Sequence, residues 1–229
     1  MDLPTLKVER LYRQISSLII QYIKDGRFKV GEALPAERDL ARQLGVGRSS
    51  VREALIALEI AGWVEIRTGT GVFVLAAEEP VVAVQGADVT SATALLEARS
   101  LFEGDLAALA AERASPAQIA ALGLLLDEMA REDEENAAFH DSDRRFHWLI
   151  AEMTGNEVLQ EMSQTLWNKR YSPLFQQLEN HYGVVPWASH VVEEHRAIHA
   201  AIAAHDPGAA RAAMQRHLDQ VLEKLFRQS

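Results

Sequence analysis

Cysteine is absent from the 229 residues. That excludes disulfides and thiolate metal sites, and it fits a reducing cytoplasm. No apolar run approaches the roughly 18 residues a membrane span needs, and the polar start MDLPTLKVERLYRQ does not read as a secretory leader. Positive charge is also short, with 23 Lys+Arg against 33 Asp+Glu and a net charge of −10. Such a balance argues against a nucleic-acid partner unless the charge is unevenly placed. It is uneven: residues 1–75 carry 11 Lys+Arg against 9 Asp+Glu, whereas residues 76–229 carry 12 against 24. Any surface for a polyanion must therefore lie at the front, with the rest of the chain facing away from it. Hydrophobic residues at 48% and charged ones at 24% otherwise match an ordinary globular protein.

What is present at the front is the stretch LPAERDLARQLGVGRSSVREALIALEIAGWVEIRTGTGVFV, from Leu34 to Val74. Leu11, Ile15, Leu18, Ile19, Tyr22 and Ile23 first set out a helix over Arg10–Lys24. Leu34-Pro35 then opens a second helix, stopped at Gly45, with Leu40 and Leu44 inward. Gly47 begins a third, whose inner face is Val51, Ala54, Leu55 and Leu58 and whose outer face is Arg48, Ser49 and Arg52. Two short strands, Trp63–Ile66 and Val72–Val74, flank a Thr68-Gly69-Thr70-Gly71 tip. This order is a winged helix-turn-helix. Arginine can bond two acceptors on guanine, and serine hydroxyls reach phosphates or base edges, so Arg48, Ser49, Ser50 and Arg52 suit a DNA groove.

Ala76–Thr90, with Pro80 and Gly86, breaks the helical pattern and reads as a linker. The sequence thus divides into a DNA-binding domain at 1–75, a linker at 76–90 and a helical domain at 91–229. The fold class is mainly α, with a winged helix-turn-helix followed by an all-α bundle of six to seven helices. The bundle helices are expected at Ser91–Ala114, from Ser115-Pro116 to the acidic run Arg131–Glu135, at Asn136–Met153, at Asn156–Arg170, in a short piece over Leu174–His181, and at Pro186–Ala204 and Pro207–Arg227. The acidic run reads as a solvated helix end.

Polar residues interrupt the apolar faces of this bundle. Asp143 and His147 stand one turn apart on the stripe of Phe139, Phe146 and Ile150. His195 lies among Val191, Val192, Ile198 and Ile202, and His217 lies on the face of Ala210, Ala213, Leu218 and Val221. Burying a carboxylate costs several kcal/mol unless it is paired or ligated. Three imidazoles and a carboxylate on inward faces can form an N/O metal site. A set of hydrogen-bonded core residues is the plainer alternative, and His199, one turn beyond His195, competes as a ligand.

These motifs resemble the GntR-type transcription regulators, FadR-like subfamily, with an FCD effector domain. The resemblance spans nearly the whole chain through the Leu34–Val74 stretch and through LLEARSLFEGDLAALAAERA, DRRFHWLIAEMTGN and EHRAIHAAIAAHDPGAARAAMQRHL. It implies DNA contacts at Arg38, Gly47, Arg48, Ser49, Ser50, Arg52, Thr68 and Gly69. Gly47 stands where such regulators usually have Ser or Thr, without the hydroxyl for a phosphate contact. It also implies metal ligands at Asp143, His147, His195 and His217, favouring His195 over His199. The expected cofactor is a divalent ion, zinc first, with nickel or manganese as alternatives.

Arg99, in the EARSLFE segment, matches a position that pairs with a carboxylate effector, for which a guanidinium is chemically suited. The alternative for Arg99 is a helix-surface salt bridge with Glu103. The likeness is strongest to repressors of hexuronate or sugar-acid catabolism. It implies a cytoplasmic homodimer on a palindromic, double-stranded operator, and no enzymatic activity. Two other readings remain at this point. One is a helical metalloenzyme with a vestigial winged domain, although no general base is placed like the Glu of a helix-borne HExxH motif. The other is a DNA-binding regulator whose metal is purely structural.

Overall fold

The computed structural model describes residues 10–78, 91–132, 137–171, 174–175, 177 and 188–227. The described residues fall into two compact units, the first holding those up to Ala92 together with Leu174, Phe175 and Gln177, the second those from Thr93 to Tyr171 and from 188 to 227. Nine α-helices and one hairpin are found among the described residues. None of these helices is long and apolar enough to cross a membrane.

In the first unit, helices α1 (Leu11–Lys24), α2 (Glu37–Leu44) and α3 (Arg48–Ile60) precede strands β1 (Val64–Arg67) and β2 (Gly71–Val74). The strands pair antiparallel, with Val64 opposite Val74 and Arg67 opposite Gly71. Ile15, Ile19 and Ile23 of α1, Leu40 of α2, Val51, Leu55 and Leu58 of α3 and Trp63, Val64, Val72 and Val74 of the hairpin share one apolar core. Gly45 ends α2 in the left-handed region at φ 67°, where a side chain would be strained, and this allows the tight turn into α3. The Ser16 hydroxyl donates to the Ala54 carbonyl at 3.1 Å, and the Ile66 N–H donates to Glu59 Oε1 at 2.7 Å, tying α1 and β1 to α3.

Two expectations need correction here. Leu34-Pro35 does not open α2, which begins at Glu37. The Leu34 N–H donates to the Val72 carbonyl at 2.8 Å and the Gly31 N–H to the Val74 carbonyl at 2.8 Å, so this segment runs along β2. Proline restricts Leu34, the residue before it, to extended backbone, in keeping with that pairing. Arg52 is not on the outside of α3: it is 1% exposed.

The second unit contains α4 (Ala92–Arg113), α5 (Pro116–Met129), α6 (Ala137–Met153), α7 (Glu157–Asn168) with a 3-10 turn over Lys169–Tyr171, α8 (Ala188–Ala203) and α9 (Pro207–Arg227). The Ser115 hydroxyl accepts from the Gln118 N–H while the Gln118 side chain accepts from the Ser115 N–H, a capping box ahead of Pro116. Asn156 caps α7 by accepting from the Val158 and Leu159 N–H groups. Helix α5 packs on α6 and α8, α6 on α7, and α8 on α9. In the acidic run Arg131 is exposed and Glu132 is half-buried, accepting from the Ser142 hydroxyl at 3.0 Å, while residues 133–135 lie outside the described residues. Most of the expected linker and of the Leu174–His181 segment lies outside the described residues.

Candidate metal centre and DNA reader

Asp143 and His147 come to the centre of the bundle because both lie on the buried side of α6, with Phe146 and Ile150. His195 on α8 and His217 on α9 meet them from the facing helices. All four are buried, and one ligand atom from each lies within 4.8 Å of every other. His195 Nε2 is 3.3 Å from His217 Nε2 and 3.5 Å from Asp143 Oδ1, and His147 Nε2 is 3.6 Å from that same oxygen. Donors about 2 Å from a shared ion are spaced in this way.

Polar groups behind the four orient them. His217 Nδ1 donates to Glu194 Oε2 at 2.7 Å, which leaves its Nε2 lone pair turned inward. His147 Nδ1 is 2.6 Å from Glu103 Oε2, within ion-pair reach though out of line for a hydrogen bond. His195 Nδ1 faces Met129 Sδ at 3.3 Å, and Phe146 stacks on the His195 ring at 4.3 Å. Arg170 donates to Asp143 Oδ2 at 2.7 Å, while Asp143 Oδ1 and His147 Nε2 are buried with no hydrogen-bond partner among the described residues. Orphaned acceptors of this kind are unfavourable in a closed core. A divalent cation at their meeting point would satisfy them, so the residues fit a metal ion.

The electrostatics agree with that fit at Asp143, His195 and His217, whereas Glu103 and Asp143 outweigh burial and raise His147. Burial works to raise the Asp143 carboxyl, but His147 and Arg170 outweigh it and hold it well below 3.8. Burial likewise opposes the ionised Glu103, yet Arg99 and His147 bring it down to about 2. Burial and the charge on His147 push His217 down to about 3, and burial with His217 nearby pushes His195 well below 6.5. Two rings are thus held neutral, the form that ligates metals.

Arg99 is buried, and its Nε donates to Glu103 Oε1 at 2.6 Å. The pairing with Glu103 exists, but it is an interior pair and not the surface bridge considered from sequence. His199 does not compete for the centre, because its Nε2 lies 3.1 Å from the Ile119 carbonyl oxygen. Sequence reasoning missed Glu194 and Arg170, and it noticed Glu103 only as a surface partner. Glu103 was findable from its one-turn offset to Arg99, and Glu194 from its place beside His195. Nothing local marks Arg170, which reaches Asp143 from 27 residues away.

On the reader, Arg48, Ser49 and Ser50 are half-buried in the first turn of α3, and Arg38, Gly47, Thr68 and Gly69 are exposed. Gly47 precedes α3 without a side-chain cap. Arg52 turns inward, its Nε 3.1 Å and its Nη2 2.8 Å from Glu37 Oε2. It joins α2 to α3 from within.

Comparison with known proteins bears on both units. Residues 11–74 match the family described as "Bacterial regulatory proteins, gntR family", and residues 94–220 match the one described as "FCD domain". The "Uxu operon regulator" of Haemophilus influenzae is 33% identical over 222 residues, covering 96% of this chain and 83% of that protein. The "Uxu operon transcriptional regulator" of Escherichia coli is 34% identical over 229 residues, covering 95% and 88%. Among solved structures, E. coli McbR/YncC superposes with a TM-score of 0.52 at 23% identity, covering 96% of this chain and 99% of that one, and so supports the fold. These relatives are regulators, which sets aside the metalloenzyme reading. This chain belongs to the GntR family of bacterial transcription regulators and carries an FCD domain behind its DNA-binding winged helix-turn-helix.

Proposed function

We propose that the chain is a repressor whose hold on its operator is set by a small carboxylate, a sugar acid or hydroxy-acid, received at a divalent metal in the helical unit. The observation that carries this is the convergence of Asp143, His147, His195 and His217 ligand atoms within 4.8 Å. Zinc is the ion we assign, nickel and manganese being others that an N/O donor set accommodates. When bound, such an ion supplies a Lewis-acidic position for a carboxylate oxygen. Glu194 and Glu103 fix the His217 and His147 rings, Arg170 engages the second oxygen of Asp143, and Arg99 offers its guanidinium to the effector carboxylate. The relatives named for the Uxu operon support a sugar acid.

On the output side, a cytoplasmic homodimer would present two α3 helices to a palindromic, double-stranded operator, as in the FadR-like subfamily. Arg38, Arg48, Ser49, Ser50 and the Thr68-Gly69 tip would touch DNA, with Arg52 holding α3 in position. The effector alters repression only as far as it binds one arrangement of the dimer better than the other. A gel shift on the promoter beside its own gene tests the reading. Retardation that changes with added sugar acids is expected; no retardation at low salt sinks it.

One observation favours a purely structural metal: Arg99 is already closed on Glu103 at 2.6 Å. Calorimetry with hydroxy-acids and uronates separates the two, since a structural centre gives no ligand heat.

A further inference from the structure

The imidazoles at the bundle centre are backed unequally. Behind His217 stands the Glu194 carboxylate at 2.7 Å, and behind His147 the Glu103 carboxylate at 2.6 Å. Behind His195 stands a thioether, its Nδ1 facing Met129 Sδ at 3.3 Å. Met129 is the last residue of α5, and both it and His195 are fully buried, so bulk water does not reach the pair. Phe146 stacks on the His195 ring at 4.3 Å and 25°, which restricts the plane of the ring. The other edge of that ring meets stronger acceptors. Its Nε2 lies 3.3 Å from His217 Nε2 and 3.5 Å from Asp143 Oδ1.

A neutral imidazole carries one N–H proton, and its hydrogen bonds decide which nitrogen holds it. Glu194 settles the matter for His217 and leaves His217 Nε2 as an acceptor. For His195 the better acceptors stand at Nε2, because a thioether accepts only weakly. A metal ligand has to present the Nε2 lone pair, and the proton then sits on Nδ1, against sulfur. We propose that Met129 is a positioning residue that makes His195 a tautomeric switch. Without zinc the ring holds its proton on Nε2; with zinc it holds one on Nδ1, facing Met129 Sδ, and stays neutral throughout. The exchange trades a hydrogen bond to nitrogen or carboxylate for one to sulfur. His195 is therefore the imidazole held least firmly on the ion. Met129 keeps the ion exchangeable where a third carboxylate would lock it in. The inference rests on the metal reading above and adds what sets the affinity of the centre.

The test uses the full-length protein with zinc as the probe. Met129→Leu keeps the apolar bulk and removes the acceptor, whereas Met129→Glu offers a carboxylate like those behind His217 and His147. Zinc affinity by chelator competition should fall about three- to tenfold in Met129→Leu and rise about tenfold or more in Met129→Glu. A sulfur that only fills space gives another order, with Met129→Leu equal to wild type and Met129→Glu the weakest. Long-range proton–nitrogen correlation spectra of the histidine rings supply a second readout. They should place the His195 proton on Nε2 in zinc-free wild type and on Nδ1 in the zinc-loaded protein, while His217 keeps its proton on Nδ1 in both. If Met129→Glu does not fold, Met129→Leu and the spectra decide. Zinc affinity of Met129→Leu within about twofold of wild type, or a His195 proton on the same nitrogen in both forms, overturns this inference and leaves the metal reading standing. A wild type that takes up no zinc overturns both.

Discussion

In the DNA-reading unit, Arg52 closes on Glu37 across two helices; in the helical unit, Arg99 closes on Glu103 one turn along the same helix. The first pair keeps some access to water, Glu37 being 14% exposed, whereas the second is sealed at 3% and 2%. Their surroundings differ more. The reader's core is an apolar cluster, from Ile15 and Leu40 to Val51, Leu55 and Val72. Around Arg99 lie Asp143, three histidines and Arg170, with several polar atoms lacking partners among the described residues. A buried ion pair next to hydrocarbon orients two helices. A buried ion pair beside unsatisfied ligand atoms belongs to a site that something else must complete. On the function proposed above, the reader holds one shape and the bundle responds.

The strongest way to break this contrast is to remove a ligand. Asp143→Ala and His195→Ala should each weaken zinc binding on the order of 100-fold or more, read by elemental analysis after dialysis; wild-type metal content would disprove the centre. Next in size, Glu37→Ala leaves Arg52 in the interior without this partner and should destabilise the reader by about 2–3 kcal/mol, seen as a lower urea midpoint. Metal content should stay unchanged, which keeps the two effects apart.

The pH response of metal-free protein sharpens the comparison. His195 and His217 are depressed in the folded state, His217 to about 3. The unfolded chain therefore takes up protons first, so stability falls as pH drops below about 6.5 and continues to fall toward about 3. Glu103, held at about 2, adds a contribution that is present above 4.5 and lost as pH falls through about 2. His147 runs the other way. Burial lowers it, but Glu103 and Asp143 outweigh that and raise it, so its stabilisation is full below 6.5 and fades as pH rises through its folded value. A Tm series from pH 8 to pH 4 should decline below 6.5, and zinc should raise the curve most at the high-pH end, where His147 loses the proton that competes with the ion.

Smaller effects follow. Glu194→Gln replaces the anion behind His217 and should weaken zinc about tenfold, measured by competition with a chelator. Gly47→Ser is the mildest change. A Cβ there meets only Ser49 Oγ at 3.6 Å, an ordinary contact. The added hydroxyl should cap α3 for a few tenths of a kcal/mol and leave DNA retention equal or slightly tighter by gel shift.

The periodicity of the chain was enough to place α1, α3 and most of the bundle helices within a residue or two, because one buried face repeats its signature every turn. It also singled out Asp143, His147, His195 and His217, since a charged or imidazole side chain amid Ile, Val and Phe stands out along any helix. It misjudged Arg52, which shares its outward spacing with Arg48 but meets the Glu37 carboxylate, a partner from α2 that no pattern within α3 reveals. The same limit hid Arg170 and Glu194. What the sequence determined by itself, then, is which faces are buried and which polar residues lie on them. Only the tertiary structure decided which of those residues meet, and that His199 turns to Ile119 while His195 turns to His217. The physical reason is that hydrophobic burial is read along one helix, whereas hydrogen bonds and ion pairs are settled between helices brought together by packing.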